Sequence, residues 1–146
     1  MKKVLVTGAS GFIGSTLIDR LLALGNYEVY AGVRAKSSRK YLQDSRIKFI
    51  DLALSDPTSL KQQLDREQFD CIFHFAGLTK AKRPEDFDKV NFGLTKNLAD
   101  AINPQTTKLI FLSSFAAHGP AEEINFSKAK VSDENKPTTA YGRSKL

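Results

Sequence analysis

Apolar and polar positions along this chain alternate between two kinds of segment. Val4–Thr7 is a short, nearly unbroken apolar run, the pattern of a strand covered on both faces. Phe12, Ile13, Leu17, Leu21 and Leu24 then recur at helical spacing and predict a helix over Phe12–Leu24, closed by Gly25-Asn26. Glu28–Val33 and Ile47–Ile50 read as a second and a third strand. Asp56-Pro57 opens a short helix through about Leu64, with Asp56 as N-cap and Pro57 at the first helical position. Cys71–Phe75 is a fourth strand, and Leu109–Leu112 a fifth. Between them, Pro84–Ile102 reads as a long helix that Asn103-Pro104 ends. Gly119–Thr138 is a long polar connection, and a last helix begins near Thr139.

Strands alternating with helices predict a parallel sheet, covered on both faces and wound right-handed. A glycine-rich turn follows the first strand. The expected fold class is therefore α/β, a Rossmann-type doubly wound parallel sheet with strand order 3-2-1-4-5. The 146 residues suit one domain. The chain stops at Leu146, soon after its last helix begins, and this predicts a dinucleotide-binding domain over 1–146 that is incomplete at its C-terminus.

Composition narrows the class. Hydrophobic content of 41% and charged content of 26% are those of a soluble globular protein. No apolar run approaches the ~20 residues needed to span a membrane. Lys2-Lys3 before an apolar run mimics a signal peptide, but Thr7, Gly8, Ser10 and Gly11 interrupt it, so the expected location is cytoplasmic, with no membrane partner. Cys71, the one cysteine, sits in an apolar run and reads as a core thiol. No metal-ligating set is assigned. Much of the net charge of +6 is local, with Arg34, Lys36, Arg39, Lys40, Arg46 and Lys48 set against Asp44. No recognition motif accompanies this stretch, so nucleic acid is not expected as a partner. It reads either as a solvated face or as a phosphate pocket, because it begins where the second strand ends.

The chemistry starts at Thr7-Gly8-Ala9-Ser10-Gly11-Phe12-Ile13-Gly14. Gly8 permits a sharp turn, Gly11 lets backbone approach a pyrophosphate, and Gly14 lets the helix pack close on the strand. Gly8, Ser10, Gly11, Phe12, Ile13 and Gly14 are the predicted diphosphate contacts, at a helix N-terminus that favours an anion. An acid about 20 positions past this turn would accept ribose hydroxyls. Arg34 stands there instead. A guanidinium suits the extra 2′-phosphate of NADP, which makes NADP the favoured cofactor, with NAD as the alternative. Asp51 and Leu52 end the third strand, where the carboxylate can accept from an adenine amino group or cap a turn. Phe75, Ala76 and Gly77 leave room for backbone beside a nicotinamide ribose, and His74 reads as a packed histidine. Asn91, in the long helix, is a candidate to hold backbone near the site.

Ser113-Ser114 ends the fifth strand, and Tyr141-Gly142-Arg143-Ser144-Lys145 opens the last helix. Tyr141 and Lys145 are four apart and share a helix face. An ammonium beside a phenol favours the phenolate, so Tyr141 is poised to pass a proton to or from an alcohol or carbonyl oxygen while hydride moves at the nicotinamide. A serine hydroxyl at the strand's edge can hydrogen-bond the same oxygen.

Together these motifs, from Lys2 to Leu146, resemble the extended short-chain dehydrogenase/reductases, the NAD-dependent epimerase/dehydratase group. The resemblance implies Ser114, Tyr141 and Lys145 as catalytic residues. Ser114 is favoured over Ser113 because it lies five before Gly119. Tyr141 would be the general acid/base, and Lys145 would lower its pKa and, with Tyr141, hold the nicotinamide ribose. Phe115-Ala116 replace the acidic pair that follows the catalytic hydroxyl in 4,6-dehydratases, which argues against that dehydration. Val33-Arg34 resembles the NADP-using reductase branch, Thr79 stands where some epimerases carry lysine, and His118 replaces a tyrosine. The implied function is hydride transfer between nicotinamide and an alcohol or ketone carbon of a small-molecule substrate, a nucleotide sugar among the candidates. Two alternatives stay open: a nucleotide-sugar epimerase with bound NAD, and a non-enzymatic dinucleotide sensor. Such proteins often pair as homodimers through the helix after the fourth strand and the one starting at Tyr141, and they continue beyond this point with a lobe that grips substrate.

Overall fold

Five parallel strands form one sheet in the order 3-2-1-4-5, as the alternation predicts, in a computed structural model that describes residues 1–120 and 134–146. The strands are β1 (Lys2–Thr7), β2 (Tyr27–Gly32), β3 (Lys48–Ile50), β4 (Cys71–His74) and β5 (Lys108–Phe111). The helices are α1 (Phe12–Leu24), α2 (Pro57–Glu67), α3 (Pro84–Phe87), α4 (Leu94–Ala101), α5 (Phe115–His118) and α6 (Ala140–Ser144). The chain divides into two compact units, Met1–Gly77 with Leu94–Leu112, and Leu78–Gly93 with Ser113–Leu146.

The first unit holds the whole sheet. β1 is its middle strand, and its alternating side chains enter two cores. Val4 and Val6 pack with Ile18, Leu21 and Leu22 of α1 and with Val29 and Ala31 of β2. Leu5 points the other way, into a cluster with Leu60 and Leu64 of α2, Ile72 of β4 and Leu98 and Ala101 of α4. A strand buried on both faces needs apolar residues at successive positions, and that is the unbroken run the sequence carries. α1 has the predicted bounds and ends at Gly25, in the left-handed conformation (φ 73°). α2 runs three residues past Leu64, because Gln68 takes a left-handed cap at φ 54° and its N–H donates to Leu64 O at 2.8 Å. Asp56 caps it as expected, accepting from the N–H groups of Thr58 and Ser59.

Strand bounds shift by a residue or two against expectation, β2 starting at Tyr27 and β5 at Lys108. The larger departure is the expected helix Pro84–Ile102. It begins at Pro84 but is not one regular helix: a π-helical turn over Asp88–Gly93 separates α3 from α4. Such a turn inserts an extra residue and often marks a functional position. Here it carries Asn91, 1% exposed.

In the second unit, α3 presents Phe87 to Tyr141 of α6, edge to face with centroids 5.7 Å apart. α5 and α6 are packed together. Neither Gly119–Thr138 nor any apolar period predicted α5, a helix of four residues. Residues 121–133 of that polar connection lie outside the described residues. Its two ends are joined, since Lys136 N–H donates to His118 O at 2.8 Å.

Candidate functional site

In the first unit the predicted diphosphate turn is built from backbone. Gly8 has φ 65°, and a Cβ there would lie 2.7 Å from Ala76 N and from Phe75 C. A Cβ on Gly14 would lie 2.4 Å from Gly8 O. The turn closes with Gly11 N–H donating to Gly8 O at 3.0 Å. Gly11 is also the N-cap of α1 and has no side chain to satisfy the orphan N–H groups of the first turn; that turn holds no acidic residue either. Phe12 and Ile13 are 86% and 50% exposed at this end, an unusual placement for large apolar side chains. An exposed, uncapped helix N-terminus reached by a turn with no room for side chains fits a diphosphate. Ser10 is half-buried within the turn, and Gly77 is exposed at the end of the β4 segment.

Two threonines lock this edge. Thr7 Oγ1 lies 2.7 Å from His74 Nδ1 and accepts from Ala76 N–H at 3.2 Å, and His74 Nε2 lies 3.0 Å from Thr95 Oγ1. His74 is 1% exposed and is the packed, hydrogen-bonded histidine expected. It joins the end of β1 to that of β4.

At the end of β2, Val33 is buried and Arg34 exposed. Arg34 N–H donates to Ser37 Oγ at 3.2 Å, and Ser37 N–H returns to Arg34 O at 2.9 Å. Asp51 accepts from Ala35 N–H at 3.1 Å, so one carboxylate oxygen holds the loop that carries Arg34. Arg34, Lys36, Ser37 and Asp51 line one surface depression of about 450 Å³. Leu52 is half-buried against the cluster of α2 and α4. Elsewhere on this unit, a cleft of about 480 Å³ at the other end of β4, between Phe69 and Thr107, takes in none of the predicted site residues.

The second unit carries Ser114, Tyr141, Lys145 and Asn91. Ser114 caps α5, its Oγ accepting from Ala116 N–H at 3.2 Å, a bond that leaves the hydroxyl proton uncommitted. Ser113 is engaged differently, its Oγ donating to Lys145 O at 2.7 Å. Thr139 caps α6 by accepting from Gly142 N–H at 2.9 Å. A Cβ on Gly142 would lie 2.3 Å from Ala116 O, so α5 and α6 meet backbone to backbone. Tyr141 is half-buried and Lys145 is 6% exposed, and burial pushes the Lys145 ammonium below the ordinary lysine range. Phe115, 72% exposed, stacks on His118 with ring planes 3° apart.

Asn91 was expected to hold backbone, and its amide does so. Leu78 N–H donates to Oδ1 at 2.6 Å, while Nδ2 donates to Leu78 O and to Ser144 Oγ, each at 3.0 Å. Sequence reasoning missed Ser144 as a partner of Asn91 and Ser113 as a partner of Lys145. Only their placement beside Ser114 and Lys145 hinted at it.

A doubly wound sheet with this glycine turn, in a chain that also carries a Ser/Tyr/Lys set on short helices, defines the class of dinucleotide-binding α/β proteins. The chain belongs to the NAD dependent epimerase/dehydratase family, whose model matches residues 4–146. It is 31% identical to the UDP-glucose 4-epimerase of Lacticaseibacillus casei over 98% of this chain and 44% of that protein. It is 32% identical to the dTDP-6-deoxy-L-talose 4-dehydrogenase (NAD(P)(+)) of Kitasatospora kifunensis, over 99% of this chain and 44% of the relative. The UDP-Glc/GlcNAc 4-epimerase structure from Campylobacter jejuni superposes with a TM-score of 0.85 at 29% identity, over 99% of this chain and 46% of that one. The chain thus spans about half the length of the relatives it matches. Among the described residues, no helix is long and apolar enough to cross a membrane.

Proposed function

We propose that this chain forms the cofactor-binding and proton-transferring part of an oxidoreductase or epimerase that acts on an alcohol or ketone carbon of a nucleotide sugar. The observation that carries the reading is the seating of α6 on α5. Gly142 meets Ala116 O, so the helix bearing Tyr141 and Lys145 rests directly on the helix that Ser114 caps. The nicotinamide, when bound, supplies or accepts the hydride. The turn over Gly8–Gly14 holds the diphosphate through backbone N–H groups, and Tyr141 and Lys145 hold the nicotinamide ribose. The Tyr141 phenol gives a proton to a substrate carbonyl oxygen, or in the reverse direction its phenolate takes one from an alcohol. The Ser114 hydroxyl donates to the same oxygen and orients it.

Within this reading NADP is preferred, and the protein is a reductase. The support is that Arg34 lines one depression with Lys36, Ser37 and Asp51, two cations against one carboxylate. An NAD-bound epimerase is the second reading, favoured by the epimerases among the relatives. A cytoplasmic homodimer accords with either.

Titration with NADPH and with NADH separates them. A preference for NADPH of tenfold or more, about 1.4 kcal/mol, supports the Arg34 pocket. Equal or tighter binding of NADH makes Arg34 a surface residue and puts the epimerase first. Hydride exchange with a carbonyl substrate by the complete protein would exclude a dinucleotide sensor without catalysis.

A further inference from the structure

Helix α6 is five residues long, too short to hold itself by its own ladder. Its geometry depends on side-chain hydrogen bonds, one from within the helix and one from outside it, and both act on the residues that matter most. Ser144 Oγ donates to Tyr141 O at 2.8 Å, and Ser113 Oγ donates to Lys145 O at 2.7 Å. Two serine hydroxyls thus hold the backbone carbonyls of the proton-transferring tyrosine and of its lysine.

The Ser144 hydroxyl is itself oriented. It accepts from Asn91 Nδ2, and the other Nδ2 proton goes to Leu78 O, so both amide protons of Asn91 are committed. Asn91 occupies the π-helical turn and is almost fully buried. Ser144 is 6% exposed. At the other end, Ser113 adjoins Ser114 at the start of α5. The pull on Lys145 and the placement of the Ser114 hydroxyl therefore share one dipeptide.

We infer that Ser113 and Ser144 are positioning residues: a two-ended hydroxyl clamp, braced by Asn91, that sets Tyr141 and Lys145 at their working distance from Ser114. Neither serine touches substrate or cofactor in this role. The inference rests on the reading of Tyr141 as acid/base, because a clamp on a helix without chemistry would set nothing.

The test uses the complete protein, with Tyr141→Phe as control. Ser113→Ala and Ser144→Ala are each expected to lower kcat about tenfold, the scale of a small misplacement of reacting groups. The substrate KM should hold, and the pH midpoint of the proton-transfer limb should move. Ser113→Thr, which restores a hydroxyl, should recover kcat. Ser113 is exposed, so its alanine variant keeps the experiment decisive if Ser144→Ala fails to fold. A lower melting temperature with unchanged kcat and pH profile in both alanine variants overturns the clamp and leaves the Tyr141 reading standing. An active Tyr141→Phe overturns the reading and the clamp together.

Discussion

The β1–α1 turn and the α5–α6 region solve the same problem, fixing a short stretch of chain in one geometry, by opposite means. The turn works by the absence of side chains. Gly8 and Gly14 leave backbone against backbone at spacings that no Cβ allows, and Gly11 caps α1 with nothing in the way of the N–H groups. The α5–α6 region works by side chains. Ser113, Thr139, Ser144 and Asn91 each commit a polar atom to holding a short helix in place. A site built from backbone is rigid as soon as its strand and helix form. A site built from side chains is only as well placed as the hydrogen bonds that hold it. The first should tolerate no added atom; the second should tolerate changes of bulk at the surface but no loss of a hydroxyl.

The comparison breaks most sharply at Tyr141. Removing its phenolic oxygen in the complete protein, Tyr141→Phe, is expected to cut turnover by at least ~10²-fold while NAD(P)H still binds. Steady-state kinetics with a fluorescence titration of cofactor checks both halves, and wild-type rates would remove the chemical role of α6. Gly14→Ala tests the other region. The added methyl meets Gly8 O and Ala9 Cα, both backbone, so something must shift. A cost of about 3 kcal/mol in unfolding free energy and loss of cofactor binding are expected from chemical denaturation and titration. A tolerated alanine would show that the turn has slack.

The proposed Arg34 pocket, unlike the turn, would rely on a side chain. Arg34→Ala should cost about tenfold in NADPH affinity, about 1.4 kcal/mol, and leave NADH unchanged. A loss shared equally by the two cofactors would deny it any part in telling them apart. The smallest effect lies on the loop after β2. Arg46 beside Asp44 holds that carboxyl down to about 2, against an ordinary 3.8. A depressed carboxyl adds stability above its unfolded value, and this is lost as pH falls from about 4 toward 2. Arg46 is exposed and Asp44 only half-buried, so solvent screens the pair and the slope is shallow. Asp44→Asn should flatten it in acid unfolding curves, and an unchanged slope would mean the pair contributes nothing in solution.

The sheet order and the tight glycine turn were both legible in the chain. Val4-Leu5-Val6 in unbroken succession could serve only a central strand, since alternate residues enter two cores. The bounds of α1 followed from five apolar residues at one spacing and a glycine stop. Asp56-Pro57 announced α2, but its end depended on Gln68 accepting a left-handed conformation that its residue type does not advertise. His74 could be read as packed, though not its bonds to Thr7 and Thr95.

The sequence by itself determined the alternation of strands and helices, their winding and the glycine turn, because these answer to local rules. A repeat period assigns a segment to strand or helix, and steric exclusion at a tight turn admits only glycine. The tertiary structure alone decided α5, the π-helical turn and the placement of α6. Helices of four and five residues have too few internal hydrogen bonds to specify themselves. Their geometry comes instead from partners such as Asn91, 53 positions from Ser144, and Ser113, 32 positions from Lys145. Those partners meet only after the chain has folded, so no window of sequence contains the bond.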